Sequence, residues 1–346
     1  MKIVSYLRVS ISKTFGGMAP AITAALLVAT IAASGPAQAY EIWVTNQRTN
    51  KVQIIDGKSL KLVAEIETGV KPHNITMNHS GTRAYVANLK SGNFVVIDTA
   101  SRKILKTVPA GKTTHQVSVS PDDRRLFVTI RGENTVAVYD ARSFERLKTI
   151  PVGKGPAMAV FTPNGKRAYE TNGRDRSVSI IDTLSLEIIG TITGVGGWTT
   201  ASVMSPNGKL VVTGTEGDKY SVIDTATDRL VAEEVSGKDP HGVALEPDGK
   251  HALITNLQSN DVSRVDLATG KIVDTIPEVG DKPSNIAVSP EGKRVFVTLI
   301  GERVASDPEG RLSGKDASVS VVDLALKKVI VVIPLGGDPY DIAVRN

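Results

Sequence analysis

The chain has 346 residues, 41% of them apolar, a formal charge of +5 and no cysteine. That size supports one large domain or two ordinary ones, and the lack of thiols excludes disulfides, thiol catalysis, thiolate metal sites and attachment of lipid or c-type haem through Cys. Lys2, Arg8 and Lys13 lie in an acid-free stretch of 39 residues, so 41 − 3 = 38 basic residues face 36 acidic ones beyond it, a balance that gives nucleic acid no support as a partner.

The N-terminus has the parts of a secretory signal: a basic segment from Met1 to about Phe15, an apolar run over 18–33, and Ala37-Gln38-Ala39 as an A-x-A cleavage site. The apolar run falls short of the roughly 20 residues that span a bilayer. The expectation is a signal peptide over 1–39, a mature domain over 40–346, a periplasmic or secreted location, and no membrane span after cleavage.

From residue 40 onward the sequence repeats. An apolar-apolar-Asp signature ends at Asp56, Asp98, Asp140, Asp182 and Asp224, and more loosely at Asp266, where Arg264 stands in an apolar position; the step is 42 residues each time. Asp323 follows 57 residues later, an excess made of one residue near 279–281 and an insertion of about 14 between Ile300 and Ala317. A period of this length marks a repeat architecture.

Each repeat carries four short strand signals, A to D, separated by turns. In the second, His73–Met77 is strand A, Arg83–Asn88 strand B, Phe94–Asp98 strand C and 103–108 strand D. The A–B turns elsewhere read Ser-Pro-Asp-Asp (120–123), Thr-Pro-Asn-Gly (162–165), Ser-Pro-Asn-Gly (205–208) and Glu-Pro-Asp-Gly (246–249), where Pro presets the turn and Gly or Asp tolerates the left-handed corner. The Asp that ends every strand C precedes turn residues and reads as a structural cap.

A four-stranded unit of about 40 residues cannot bury both faces alone, and radial stacking solves this. The repeats start at a strand B (Glu41–Asn46) and stop after a strand A (Tyr340–Val344), so the two ends complete one blade. The fold class is therefore all-β: a seven-bladed β-propeller of four-stranded blades, closed by the C-terminal strand A pairing with the N-terminal strands B–D. Trp43-Val44-Thr45-Asn46, Tyr85-Val86-Ala87-Asn88 and Tyr169-Glu170-Thr171-Asn172, each followed by Ile-Asp and the first also by the Gly-x-x-Pro lead-in of 69–72, resemble the YVTN-type β-propeller repeat over essentially all of 40–346. The resemblance implies the fold. Similar propellers include surface proteins, lactonase-like enzymes, heme d1-binding domains and redox-enzyme subunits, so it does not choose a function.

The B–C loops and D–A links share one rim, and only that rim varies between blades, which marks it as the binding face. Three of the five histidines, His73, His115 and His241, occupy one repeat position there, at the start of the innermost strand; Ala157, Thr199, Ser284 and Tyr340 fill it in the other blades, with Trp198 replacing Pro before Thr199. The candidate ligand-binding residues are thus His73, His115, His241, Trp198 and Tyr340: hydrogen bonding by the histidines and a stacking wall from Trp198. Adjacent blades about 10 Å apart let His73 and His115 share a metal only if both lean inward, and put His241 out of reach of a three-histidine site.

Glu170 replaces an apolar strand-B residue, an oddity whose carboxylate, if buried between blades, is expected to pair with a neighbouring basic group, the alternative being that it faces a ligand. Arg174, Asp175 and Arg176 form a charged loop, and Gly301–Lys315 inserts on the same rim. The reading is a monomeric binding protein for a small molecule or a periplasmic or cell-envelope protein. The cofactor is open: none is required, and a metal or heme at the histidines belongs to the alternative, a lactonase-like hydrolase or a redox-system subunit.

Overall fold

The middle strands B and C of each repeat are short, mostly buried runs, such as Arg83–Asn88 and Asn93–Asp98, and with their neighbours they pair into seven antiparallel four-stranded sheets. The computed structural model describes residues 39–304, 313–315 and 317–345; the export signal expected over 1–39 lies, apart from Ala39, outside them. Among the described residues no helix is long and apolar enough to cross a membrane.

Blades 2 to 7 each run A-B-C-D in chain order, blade 2 being Pro72–Met77, Arg83–Asn88, Asn93–Asp98 and Lys103–Pro109. Blade 1 takes strands B, C and D from Glu41–Asn46, Lys51–Asp56 and Leu62–Glu67, and strand A from Pro339–Arg345. The closing pair has the register Glu41↔Arg345, Ile42↔Val344, Trp43↔Ala343 and Val44↔Ile342.

The core is not central but divided into seven apolar layers, each filling the gap between two neighbouring blades. Tyr85, Phe94, Val117 and Val128 join blades 2 and 3, for example, and Val44, Phe296, Val321 and Ile342 join blades 7 and 1. Every blade therefore has both faces covered, and closure spares the ring two exposed ends. The recurrent Asp is a turn cap, as expected: Asp98 Oδ1 accepts from Ser101 N (2.7 Å) and Oγ (2.6 Å), and Asp56, Asp182 and Asp266 repeat the arrangement.

A second recurrent contact stitches the blades near the axis. A strand-B threonine of one blade donates to the carbonyl at the histidine position of the next: Thr45 to His73 O, Thr213 to His241 O, Thr255 to Ser284 O and Thr298 to Tyr340 O. Thr255 also accepts from Gly242 N at 2.8 Å, fully buried. Replacing Thr255 with Val keeps the shape and leaves Gly242 N without its acceptor. The expected cost is about 1–3 kcal/mol, read from urea unfolding; an unchanged midpoint would refute the stitch as a source of stability.

Blade 5 departs from the register that the 42-residue spacing implies. Thr199, not Trp198, pairs with Gly214, the place held by Pro156 opposite Asn172 in blade 4, and Ala201 N bonds Thr213 Oγ1 where Met158 N bonds Thr171 Oγ1. Thr200 therefore occupies the histidine position and Thr199 the proline position, correcting the placement of Thr199. The D–A link is one residue longer, and the following turn one shorter, closing Ser205 N to Lys209 O instead of spanning five residues as Thr162 N to Arg167 O does. The two changes cancel in the spacing. Trp198 thereby falls on the link residue with a left-handed backbone (φ 47°), the conformation of Lys71, Gly155 and Asp239 in other blades.

In blade 7 the insertion begins and ends as a short antiparallel hairpin, Glu302–Val304 with Ser313–Lys315. Residues 305–312, the rest of the expected rim element, lie outside the described residues.

Candidate functional site

The innermost strands bring side chains from distant parts of the sequence to the channel mouth. His115 packs on His73 with ring centroids 4.1 Å apart, His73 on Tyr340 at 4.3 Å, and Tyr340 meets His241 edge-on at 5.8 Å. The two histidines on adjacent blades do lean inward, well inside the 10 Å blade spacing. The enclosed space behind the rings, bounded by Asn74, Met158, Thr200, Asn285 and Asp341, is only about 20 Å³, room for a single water. Outside the rings an open cleft of about 740 Å³ is lined by Trp198, Asp239, His241, Asp281, Lys282 and Tyr340, with Arg131 and Arg174 beyond this lining on the far side of Trp198.

Backbone carbonyls set the tautomers. His115 Nδ1 lies 2.7 Å from Ala157 O and His241 Nδ1 lies 3.2 Å from Ser284 O, each on the following blade, so both Nδ1 atoms donate. Their Nε2 atoms are then acceptors: Arg131 Nη1 donates to His115 at 3.0 Å, and the Tyr340 hydroxyl lies 3.4 Å from His241 Nε2. Burial, then the nearby Arg131 charge, lowers the pKa of His115 to about 3. Burial, reinforced by His115 and Arg131, holds His73 well below the ordinary histidine value. Both rings are neutral at physiological pH.

This arrangement does not suit the expected two-histidine metal site. His115 spends Nδ1 on a carbonyl, and a guanidinium, itself cationic, covers Nε2. His73 Nδ1 is buried with no hydrogen-bond partner, but one imidazole does not hold a metal ion. A heme is larger than the space behind the rings, leaving the outer cleft as the one place near the histidines open to a group of that size.

Arg131 was legible only as a loop residue, yet it is central. It alone supplies a basic side chain at the first position of a B–C loop; the equivalents are Gln47, Leu89, Gly173, Thr215, Leu257 and Ile300. Its guanidinium carbon lies 5.6 Å from the Trp198 ring centroid, and that of Arg174 lies 5.5 Å from the same ring. Trp198 is 41% exposed and its backbone N–H is held by Gly173 O at 3.2 Å. Of the charged loop, Arg176 pairs with Glu216 at 2.6 Å and Asp175 accepts from Lys154 N, leaving Arg174 to face the tryptophan.

Two buried carboxyls flank the mouth. Glu170 is fully buried and, contrary to the expected ion pair, has no basic partner within bonding distance: Oε2 accepts from Thr129 Oγ1 at 3.0 Å and Oε1 has no partner. Burial raises its pKa to about 8, against the Thr129 hydroxyl and the Arg131 charge. Because Glu170 takes Thr129, Ala157 O is served by His115 in place of the usual threonine. Asp341 was missed by the sequence reading, although it is the one acid beside the histidine position. It accepts from Ile75 N (2.9 Å) and Asn74 Nδ2 (2.8 Å), and burial raises its pKa to about 6.

On the opposite rim Glu246, Asp248 and His251 converge. Arg264, the residue that breaks the strand-C signature, forks onto Glu246 (2.5 and 2.9 Å) and supplies the counter-charge, which explains its place in an otherwise apolar position.

A family model described as YNCE-like beta-propeller matches residues 36–247, more than half of the chain. The chain belongs to the YNCE-like β-propeller family. No curated protein matches it significantly. Among solved structures, this YNCE-like propeller is similar to "Kuenenia stuttgartiensis Hydrazine Synthase" (20% identity, TM-score 0.69, covering 82% of this chain and 92% of that one). It is also similar to a functionally unknown protein from Desulfotomaculum acetoxidans DSM 771 (13%, 0.73, 88% and 98%). A third similar structure is "Dihydro-heme d1 dehydrogenase NirN in complex with DHE" (15%, 0.65, 88% and 74%). At these identities the likeness is one of fold.

Proposed function

We propose that this YNCE-like propeller is an exported binding protein that takes a small ligand at the channel mouth of its variable rim. The observation that carries the reading is the meeting of His115, His73, Tyr340 and His241, from four blades, in one continuous set of rings beside an open cleft. His241 and Tyr340 line the cleft with an imidazole of fixed tautomer and a hydroxyl, Trp198 adds an exposed indole, and the buried His73 and His115 support them from behind. Such convergent polar groups in a concave site on a rigid scaffold are the usual form of a ligand pocket. Among the described residues no nucleophile with a matched base accompanies them, which favours binding over catalysis. The A-x-A-terminated signal region over 1–39 supports export.

Protein exported by its own host is expected to show, in native mass spectrometry, a mature chain starting at Tyr40 and a bound small molecule. That molecule should be lost from the His73→Ala/His115→Ala variant while the thermal transition stays cooperative. A ligand retained by the double variant would remove the channel mouth from consideration. A coloured cofactor lost with the histidines would instead support the redox reading, to which the NirN complex with DHE lends a fold-level precedent.

A further inference from the structure

We infer that the ligand is a small organic acid, its oxyanion held by Arg131 and Arg174 and its apolar body lying against Trp198 in the outer cleft. This rests on the channel-mouth reading and adds the charge of what binds there.

Three independent features point to it. The first is the pair of guanidiniums. Both lie within 5.6 Å of one indole centroid, and among the described residues neither pairs with a carboxylate. Arg176 of the same loop, by contrast, is neutralised by Glu216. Among the described residues the Arg131 guanidinium bonds to a neutral imidazole and lies over the tryptophan face; burial and the Arg174 charge work against its protonated form, with Tyr340 and Glu170 opposing them. Two mutually repelling guanidiniums, one of them largely desolvated, gain most from an oxyanion that bridges them through charge-assisted hydrogen bonds.

The second feature is the shape of the rim charge. Over 47–50, 68–71, 89–92, 110–113, 131–134, 152–155 and 173–176, the loops of blades 1–4 hold eight basic residues and two acidic ones. Over 194–196, 217–218, 236–239, 257–260, 277–282 and 335–338, the loops of blades 5–7, the blade 7 insertion at 301–316 left aside, hold two basic and five acidic. The halves carry net charges of 8 − 2 = +6 and 2 − 5 = −3, although the mature chain as a whole is nearly balanced. Arg131 and Arg174 sit on the positive half beside the boundary, where the field draws an anion toward them. The acidic half repels a long polyanion that would cross the face, so the charge pattern favours a compact acid over a nucleic acid.

The third feature is Trp198 itself. The one-residue shift in blade 5 removes it from the buried proline position and holds it on the rim in a left-handed conformation that a bulky residue rarely adopts. Its exposed ring lines the cleft with His241 and Tyr340. An exposed indole that carries two guanidiniums over its ring and borders the cleft matches a ligand with an acid head and a ring or hydrocarbon body.

The test is titration calorimetry with a panel of aromatic and alicyclic carboxylates, each beside its uncharged amide, and with inorganic phosphate and a single-stranded oligonucleotide. The expected result is binding by one or more acids at least tenfold tighter than by their amides. That preference should fall with added salt and shrink tenfold or more in Arg174→Gln, whose exposed side chain is dispensable for folding, and in Arg131→Gln. Trp198→Ala should weaken acid and amide alike. Amides binding as well as acids would overturn the inference while leaving the channel-mouth site standing. Acid binding that survives both arginine variants would overturn it too, as would tight binding of the oligonucleotide alone. If no member of the panel binds and the host-exported protein carries no small molecule, both the inference and the reading beneath it fail.

Discussion

Removal of residues 339–346 is expected to abolish the folded ring, not merely to loosen one blade. Those residues supply strand A of blade 1, and the register with Glu41–Asn46 makes them the innermost strand of that sheet. Tyr340 O accepts from Thr298 and Asn285 of blade 7, and Asp341 accepts from Ile75 N and Asn74 of blade 2, so the segment is bonded on both sides as well as within its own sheet. Ile342 is buried in the layer between blades 7 and 1. Without it, strand B of blade 1 becomes an open edge carrying Trp43 and Val44, now exposed to pairing with other chains. A domain is stable by only about 5–15 kcal/mol, and losing a whole ladder with its interblade bonds takes most or all of that. The truncated chain should be insoluble or show no cooperative melt by circular dichroism, and a peptide of 339–346 added in excess should restore the transition. A truncated chain melting within a few degrees of the parent would show that the ring does not depend on this closure.

Glu170→Gln should flatten the pH dependence of stability in the alkaline half of the range. The folded state holds the Glu170 proton up to about pH 8 because the carboxyl is buried, whereas the unfolded chain releases it near the ordinary value of 4.5. Between these values the unfolded state binds fewer protons than the native state, so this group makes stability fall as pH rises. Its contribution is full below pH 4.5, declines through the window and is lost above about 8. A shift of this size corresponds to at most roughly 4–5 kcal/mol. Gln copies the protonated carboxyl, can still accept from Thr129, and does not ionise. Wild type and variant should therefore unfold at similar denaturant concentrations at pH 5, and the variant should be the more stable by a few kcal/mol at pH 9. Asp341, His73 and His115 titrate in both proteins and drop out of the difference. Parallel profiles for the two proteins would mean that Glu170 is ionised in the native state.

The sequence placed Glu170 as an oddity but gave it an ion pair it does not have. It also marked the histidine position correctly for His73, His115, His241 and Tyr340, and erred for blade 5. The reason in each case is the same: a period reports how many residues separate two like positions, not what the intervening chain does. A longer link and a shorter turn in blade 5 sum to the same 42 residues, so Thr200 and the outward Trp198 were hidden. Arg131 lacked any motif of its own and gained its role from a histidine sixteen positions upstream and a tryptophan two blades away.

By itself the sequence determined the closed seven-bladed ring, because four apolar strands per unit, seven Asp-capped turns and two complementary chain ends admit few other ways to bury both faces of every sheet. It also determined which rim varies, since turns that must close tightly are restricted in composition and loops that need not are free to differ. Only the tertiary structure decided which side chains meet at the axis, which of their nitrogens donate, and which charges go without a partner. Those properties depend on distances between residues far apart in the chain, on burial and on the local field, and none of these is a function of sequence separation.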